Sequence, residues 1–458
     1  MTTTAPARSL LKANWIDHWE PEDPGFWQRT GARIATRNLW ASIAVEHVGF
    51  SVWTLWSVFV LFMGPEYGVD AAGKFLIVST GSLVGAVLRV PYTFAVARFG
   101  GRNWTVISGL LLLIPTVAAV FVLQPGTSFG VFLLMAALAG FGGGNFASSM
   151  TNINTFFPEG RKGLALGLNA GGGNIGVAVI QLIGLAVIAA SGTSNPKILL
   201  AIYIPLVVIV SVVAALAMDN ITSVRNDTGA AKLALGDRHT SIMSFLYIGT
   251  FGSFIGYSFA FGLVLQTQFG RTPLQAASVT FIGPLVGSLI RPVGGWLSDR
   301  LGGARVTFVN FIAMAMSTMI CIQASGSNSL ALFITGFIGL FVFSGIGNGS
   351  TYKMIPAIFR RKAMATIADG ADAQQALHDA RRISGAAIGL ISAVGALGGL
   401  LINLAFRQSF ATAGSGTPAF WGFLVFYVVC TVATYAVYVR TAPTAAPADD
   451  VRLAQARV

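Results

Sequence analysis

Apolar residues come in runs of about twenty along the whole chain, separated by short polar, glycine or proline breaks. A helix of that length crosses the roughly 30 Å hydrocarbon layer of a bilayer. Twelve runs are expected to span it. Those of the first half are Leu39–Met63, Phe75–Val96, Trp104–Leu123, Phe129–Phe157, Leu164–Ala190 and Ile198–Met218. Those of the second half are Ser241–Gln266, Ala276–Ser298, Val306–Gln323, Leu330–Phe359, Ile383–Asn403 and Phe420–Val439. No stretch alternates apolar and polar residues at the period of a strand. The pattern predicts an all-α polytopic membrane protein with six-helix bundles at 38–218 and 241–440. A polar linker at 219–240 joins them, an arm of residues 1–37 precedes them and a tail of residues 441–458 follows. The arm has Trp15, Trp19 and Trp27 among charges and no apolar core, so no cleavable signal is read there.

Composition sharpens this. The chain is 54% hydrophobic and only 10% charged, too few charges to coat a water-facing surface. A soluble enzyme and a disordered chain are both excluded. The net charge of +12 is not the mark of nucleic-acid binding here, because basic residues collect in cytoplasmic loops. One set of loops holds Arg98, Arg102, Arg161, Lys162, Arg225, Lys232, Arg238, Arg300, Arg305, Arg360, Arg361, Lys362, Arg381 and Arg382. The other holds Lys74, Lys197, Arg271 and Arg407. Both termini are therefore expected in the cytoplasm, with the chain in the inner membrane. Cys321 and Cys430 lie in apolar runs and offer neither metal spacing nor a disulfide framework. No metal or cofactor is expected.

The halves repeat. Gly81-Ser-Leu-Val-Gly85 with Arg89 aligns with Gly283-Pro-Leu-Val-Gly287 with Arg291. The same register pairs Arg98 with Arg300, and Gly144-Asn145 falls opposite Gly347-Asn348. A parallel repeat of six spans is the plan of the major facilitator fold, with its substrate near the midplane between the halves. Gly295-Trp-Leu-Ser-Asp299-Arg300-Leu-Gly302-Gly303-Ala-Arg305 resembles the G-x-x-x-D-R-x-G-R-[KR] loop motif of that superfamily. In the first-half copy Ala97 stands in the Asp position. Asp299 and its basic neighbours read as gating structure at a helix end.

Arg89 and Arg291 each lie about eight residues, or 12 Å, inside a span. An isolated charge there costs at least about 2.5–3.5 kcal/mol, and arginine does not shed its proton to escape. Two such groups facing one chamber repel each other unless an anion lies between them. The planar guanidinium fork matches a planar oxyanion, so the pair reads as an anion clamp. Arginines that snorkel or bond backbone carbonyls are the competing reading. Glycines crowd spans 4, 5 and 11, which brings helices close and favours a small anion. Gly171-Gly-Gly173-Asn-Ile-Gly176 matches G-x-G-x-x-G but sits in an apolar helix with no strand before it, so a dinucleotide site is rejected.

Longer motifs name a family. Gly142-Gly-Gly-Asn-Phe-Ala-Ser-Ser-Met-Thr-Asn-Ile-Asn-Thr-Phe-Phe-Pro158 and Gly163-Leu-Ala-Leu-Gly-Leu-Asn-Ala-Gly-Gly-Gly-Asn-Ile-Gly176 resemble spans 4 and 5 of the nitrate/nitrite porter (NarK-type) family. Ser384 to Gly399 is similar to its span 11 signature, and Thr250 to Phe261 to its span 7. The resemblance runs from Leu39 to about Arg440 and implies transport of nitrate and nitrite by a monomer in the lipid bilayer. It also implies a site of Arg89 and Arg291 joined by Asn174, with Asn169 behind it. Rings of Tyr257, Phe261, Phe146 and Phe50 are expected to sandwich the flat anion; plain core packing is the alternative for each ring.

Coupling is less determinate. Moving an anion inward against the potential costs about 2.3 kcal/mol per charge per 100 mV. Exchange for nitrite or symport with protons offsets it. Glu46 and His47 lie about two turns into span 1, and Lys353 about two turns from the end of span 10. Glu46 and Lys353 are expected to pair as a protonation-sensitive gate, with a snorkelling Lys353 as the alternative. Proton-coupled nitrate import is the leading expectation, nitrite exchange the second. An anion sensor that transports nothing is the alternative of another class, and a channel is disfavoured by the repeat.

Overall fold

The computed structural model describes residues 15–440, so the expected tail and the first 14 residues of the arm lie outside the described residues. Twelve helices are long and apolar enough to cross a membrane. In order, spans 1 to 6 are Pro24–Phe62, Ala71–Phe99, Gly101–Val122, Phe129–Phe156, Glu159–Ser191 and Lys197–Ala217. Spans 7 to 12 are Arg238–Phe269, Pro273–Leu301, Gly303–Gly326, Leu330–Ala368, Ala373–Ala413 and Thr417–Val439.

Several helices outrun their apolar runs because polar caps, not hydropathy, end them. Span 1 begins at Pro24, where Asp23 accepts from the amides of Gly25 and Phe26. Span 11 begins beyond Asp372, whose carboxylate accepts from the Gln375 amide at 2.7 Å. Spans 1 and 7 are the hubs: 94% of each apolar window is buried, against 28% for span 12, whose apolar outer face is left for lipid.

The two halves meet along spans 2 and 11, spans 5 and 8, and spans 1 and 7. At the end away from the basic loops, Phe75 of span 2 stacks on Phe406 and Phe410 of span 11, with centroids 5.6 and 5.4 Å away. The basic end is built differently. The segment between spans 6 and 7 is ordered: Asn220–Ile221 pairs in parallel with Trp15–Ile16 of the arm, and Thr228–Gly236 is a helix capped by Asp227. Trp19 Nε1 donates to the Thr155 carbonyl and ties the arm to span 4. Asn226 donates to the Phe94 carbonyl of span 2 at 3.0 Å, while Arg382 of span 11 grips Asp227 at 2.6 and 3.1 Å. The linker thus ties both halves.

Candidate functional site

Arg89 and Arg291 sit at matching depths on spans 2 and 8, and both are buried. Arg89 has no exposed surface, and each arginine lies within electrostatic reach of the other. Arg89 Nη1 donates to the Ser392 hydroxyl at 2.7 Å and its carbonyl at 3.2 Å, which joins span 2 to span 11 across the bundle interface. Its Nε and Nη2 have no protein partner, and neither has Nη1 of Arg291. Buried donors on charged groups are rarely left unpaired. The free edge of one guanidinium and one arm of the other are therefore available to a common acceptor.

Aromatic rings enclose this edge. The Arg89 guanidinium lies 4.6 Å from the centroid of Phe146 and 4.7 Å from that of Phe251. Phe251 stacks on Tyr247 with centroids 5.4 Å apart and planes 13° apart. Arg291 lies 5.6 Å from the ring of Tyr352. The Tyr352 hydroxyl is buried without a protein partner, and the Tyr247 hydroxyl faces the Arg291 guanidinium. Phe50 packs edge-on to Phe146 at 6.0 Å, so it supports a ring at the arginine rather than touching the arginine itself.

Tyr257 and Phe261 lie elsewhere, which corrects the expected ring set. The Tyr257 hydroxyl hydrogen-bonds to that of Tyr427 at 2.5 Å, and its ring packs on Phe337 and Phe423. Phe261 stacks on Phe337 at 4.3 Å. Both belong to the aromatic core among spans 7, 10 and 12. Six residues at about 100° each turn Tyr257 some 120° away from Phe251, and the π turn at Ile248–Gly252 shifts the face further. The tyrosine and phenylalanine of span 7 that lie beside the arginines are Tyr247 and Phe251, which sequence reasoning missed. The repeat carries no signal for them: the register that pairs Arg89 with Arg291 sets Val45 opposite Tyr247 and Gly49 opposite Phe251.

The polar residues divide in two. Asn174 is buried with neither amide atom bonded to protein, and so is Asn145, one residue before Phe146. Asn169 instead serves Glu46: its Nδ2 donates to Glu46 Oε2 at 2.7 Å and lies 2.5 Å from Ser149 Oγ. Ser149 also donates to Glu46 Oε2, at 2.5 Å. Glu46 does not meet Lys353. Lys353 Nζ binds Asp299 at 2.9 and 3.0 Å on the exposed basic end and joins spans 8 and 10 there. The expected Glu46–Lys353 gate is thereby overturned. Lys353 follows Tyr352, and about 100° of helix rotation sends it outward when Tyr352 faces Arg291. His47 Nδ1 lies 3.0 Å from the Gly172 carbonyl of span 5.

A cavity of about 330 Å³ connects this site to the basic end. Its deep wall includes Phe146, Tyr352 and Ser392, the groups that touch the arginines. Its rim includes Arg225, Asp227, Arg381 and Arg382. A small anion leaving the arginines would pass through a positively lined vestibule. Among the described residues no cluster of His, Cys, Asp or Glu could hold a metal ion.

Residues 43–368 match the family model described as Major Facilitator Superfamily. The chain is 42% identical to the nitrate/nitrite transporter NarU of Salmonella typhimurium, over 93% of this chain and 97% of that one. It is 40% identical to NarU of Escherichia coli, over 92% and 96% of the two chains. To the probable nitrate/nitrite antiporter NarK2 of Thermus thermophilus it is 34% identical, over 91% and 94%. The crystal structure of a D-xylose-proton symporter superposes with a TM-score of 0.65 at 14% identity, covering 88% of this chain and 97% of that one, and shares the fold.

Proposed function

The chain belongs to the nitrate/nitrite transporter family of the major facilitator superfamily, and on that premise we propose that it carries nitrate and nitrite across the bacterial inner membrane by alternating access at the Arg89–Arg291 site. It is a transporter and not an enzyme. The observation that carries the site assignment is the set of unpaired donors on Arg89 and Arg291 within one ring-walled chamber. A flat anion accepts from both forks, and the aromatic walls keep water from competing.

Basic loops lie inside, so both described ends of the chain are assigned to the cytoplasm. The vestibule at the basic end and the Phe75–Phe406–Phe410 stack at the other then correspond to an inward-facing state. Counterflow in proteoliposomes tests this reading. External labelled nitrate is expected to enter vesicles loaded with nitrate or nitrite faster than empty ones. Binding without any flux would turn the assignment to a sensor. Proton-coupled nitrate import is the mode we favour over nitrite exchange, because a carboxyl group is buried beside the anion site.

The ring assignment makes its own prediction. Phe251→Ala removes one face against Arg89 while leaving every hydrogen-bond donor in place. A cation–π contact of about 0.5–2 kcal/mol predicts nitrate binding roughly two- to thirty-fold weaker. Tyr257→Phe, outside the chamber, is expected to leave affinity within about twofold. Calorimetric titration with nitrate measures both, and equal losses in the two would count against the corrected ring set.

A further inference from the structure

Of the 17 acidic residues in the chain, Glu46 alone lies inside an apolar run away from a helix end. It is buried, at 1% exposure. The fold makes a niche for it. A Cβ at Gly173 of span 5 would sit 2.3 Å from Glu46 Oε1, so the carboxyl occupies space that only glycine leaves. Ser149 and Asn169 both serve Oε2, while Oε1 has no protein partner. A carboxylate accepts only, whereas a carboxylic acid also donates from one oxygen. One satisfied oxygen and one free oxygen suit a group that gains and loses a proton without rebuilding its surroundings.

The groups around it are few. Span 4 presents Ser149, span 5 presents Asn169, and His47 on its own helix faces the backbone of Gly172. Arg89 of span 2, Arg291 of span 8 and Tyr352 of span 10 lie within electrostatic reach. Span 7 brings no charged residue beyond its first turn, and span 6 has only Lys197, at its far end. Lys353 is removed by its pairing with Asp299. Two fixed positive charges and one carboxyl thus share the chamber.

We infer that Glu46 is a proton-binding site linked to the anion site, so that nitrate displaces the negative charge of Glu46 by driving it to take up one proton. The inference rests on the transporter reading above and names its coupling ion. Without nitrate, ionised Glu46 offsets the two arginines. With nitrate bound, the anion does so, and Glu46 is held neutral by a proton drawn from water on the open side. The chamber keeps one net charge through both states, and transport of one nitrate with one proton is electrically silent. A pH gradient then drives accumulation and the membrane potential neither helps nor hinders it.

The test is nitrate titration of the purified full-length protein by calorimetry in buffers of different ionisation enthalpy. Wild type is expected to take up close to one proton per nitrate where free Glu46 is ionised, with affinity rising about tenfold for each unit fall in pH. Glu46→Gln keeps the shape, and the proton uptake and the pH slope should both vanish. Gly173→Ala keeps the carboxyl but fills its niche, and should displace the pH midpoint of nitrate binding. Asp227 does not confuse the readout, because the Arg382 guanidinium holds its carboxyl below the usual carboxylate range and it stays ionised throughout. Proton uptake that persists in Glu46→Gln overturns the inference, as does wild-type binding with no proton uptake; in both cases the transporter reading stands. No nitrate binding by wild type would overturn that reading and this one with it.

Discussion

Arg89→Lys is expected to weaken nitrate binding by about thirtyfold or more although the charge is kept. Arg89 does three things at once. Nη1 holds Ser392 of span 11, the edge formed by Nε and Nη2 faces the chamber, and the planar group lies against Phe146 and Phe251. An ammonium has its donors on a single atom and no flat face, so it cannot hold Ser392 and present two parallel donors to an oxyanion. Truncating one partner of a buried charge-assisted contact costs about 2–5 kcal/mol, or roughly thirty- to several-thousand-fold in affinity. Arg291→Lys should weaken binding in the same direction. Its effect is expected to be smaller, since Arg89 also carries the bond to Ser392 and lies against both Phe146 and Phe251. The double variant should lose little more than Arg89→Lys alone, because two groups gripping one ligand are not additive. Calorimetry with nitrate, alongside a melting curve to show that the variants are folded, decides the matter. Wild-type affinity in Arg89→Lys would mean that charge alone holds the anion.

The spans were legible in the sequence because lipid imposes a single demand, an apolar run long enough to cross. The arginine pair was legible because the repeat gave each residue a partner and a charge at that depth requires a reason. What hydropathy cannot give is the direction in which a residue points about its helix axis. Depth placed Glu46 and Lys353 at one level, yet rotation separates them: Lys353 turns out to Asp299 and Tyr352 takes the inner position beside Arg291. The same blindness selected Tyr257 and Phe261, a properly spaced pair on the wrong face, over Tyr247 and Phe251. A π turn at Ile248–Gly252 leaves no mark in a hydrophobic pattern, and it resets the face of everything after it. From the sequence Asn174, with Asn169 behind it, is expected to join the arginines as a polar residue of span 5. Five positions on a helix differ by about 140°, enough to send Asn169 to Glu46 and leave Asn174 without a protein partner.

Glycine-rich signatures hide a similar division, and it supports the second large prediction. Gly142→Ala should destabilise the protein and stop transport, whereas Gly167→Ala in the neighbouring signature should do neither. A Cβ on Gly142 would fall 2.0 Å from the carbonyl oxygen of Gly49, and one on Gly176 would fall 2.1 Å from that of His47. Both obstacles are backbone of span 1, and a helix carbonyl cannot rotate aside. Span 1 must therefore shift bodily, and it carries Glu46, Phe50 and Trp53, which pack on the network and rings around Arg89. Overpacking a tight core costs about 1–3 kcal/mol or more, a fall of several degrees in melting temperature at about 2–4 °C per kcal/mol. The displacement of Phe50 and Phe146 removes transport even where the protein still folds. Gly167 is exposed and has nothing within 4 Å of its would-be Cβ, so alanine there meets no neighbour and improves helix propensity. Melting curves and counterflow on the two variants separate these outcomes. Equal tolerance of both would show that spans 1 and 4 do not touch through Gly49 and Gly142, and that the rings at Arg89 are positioned by something else.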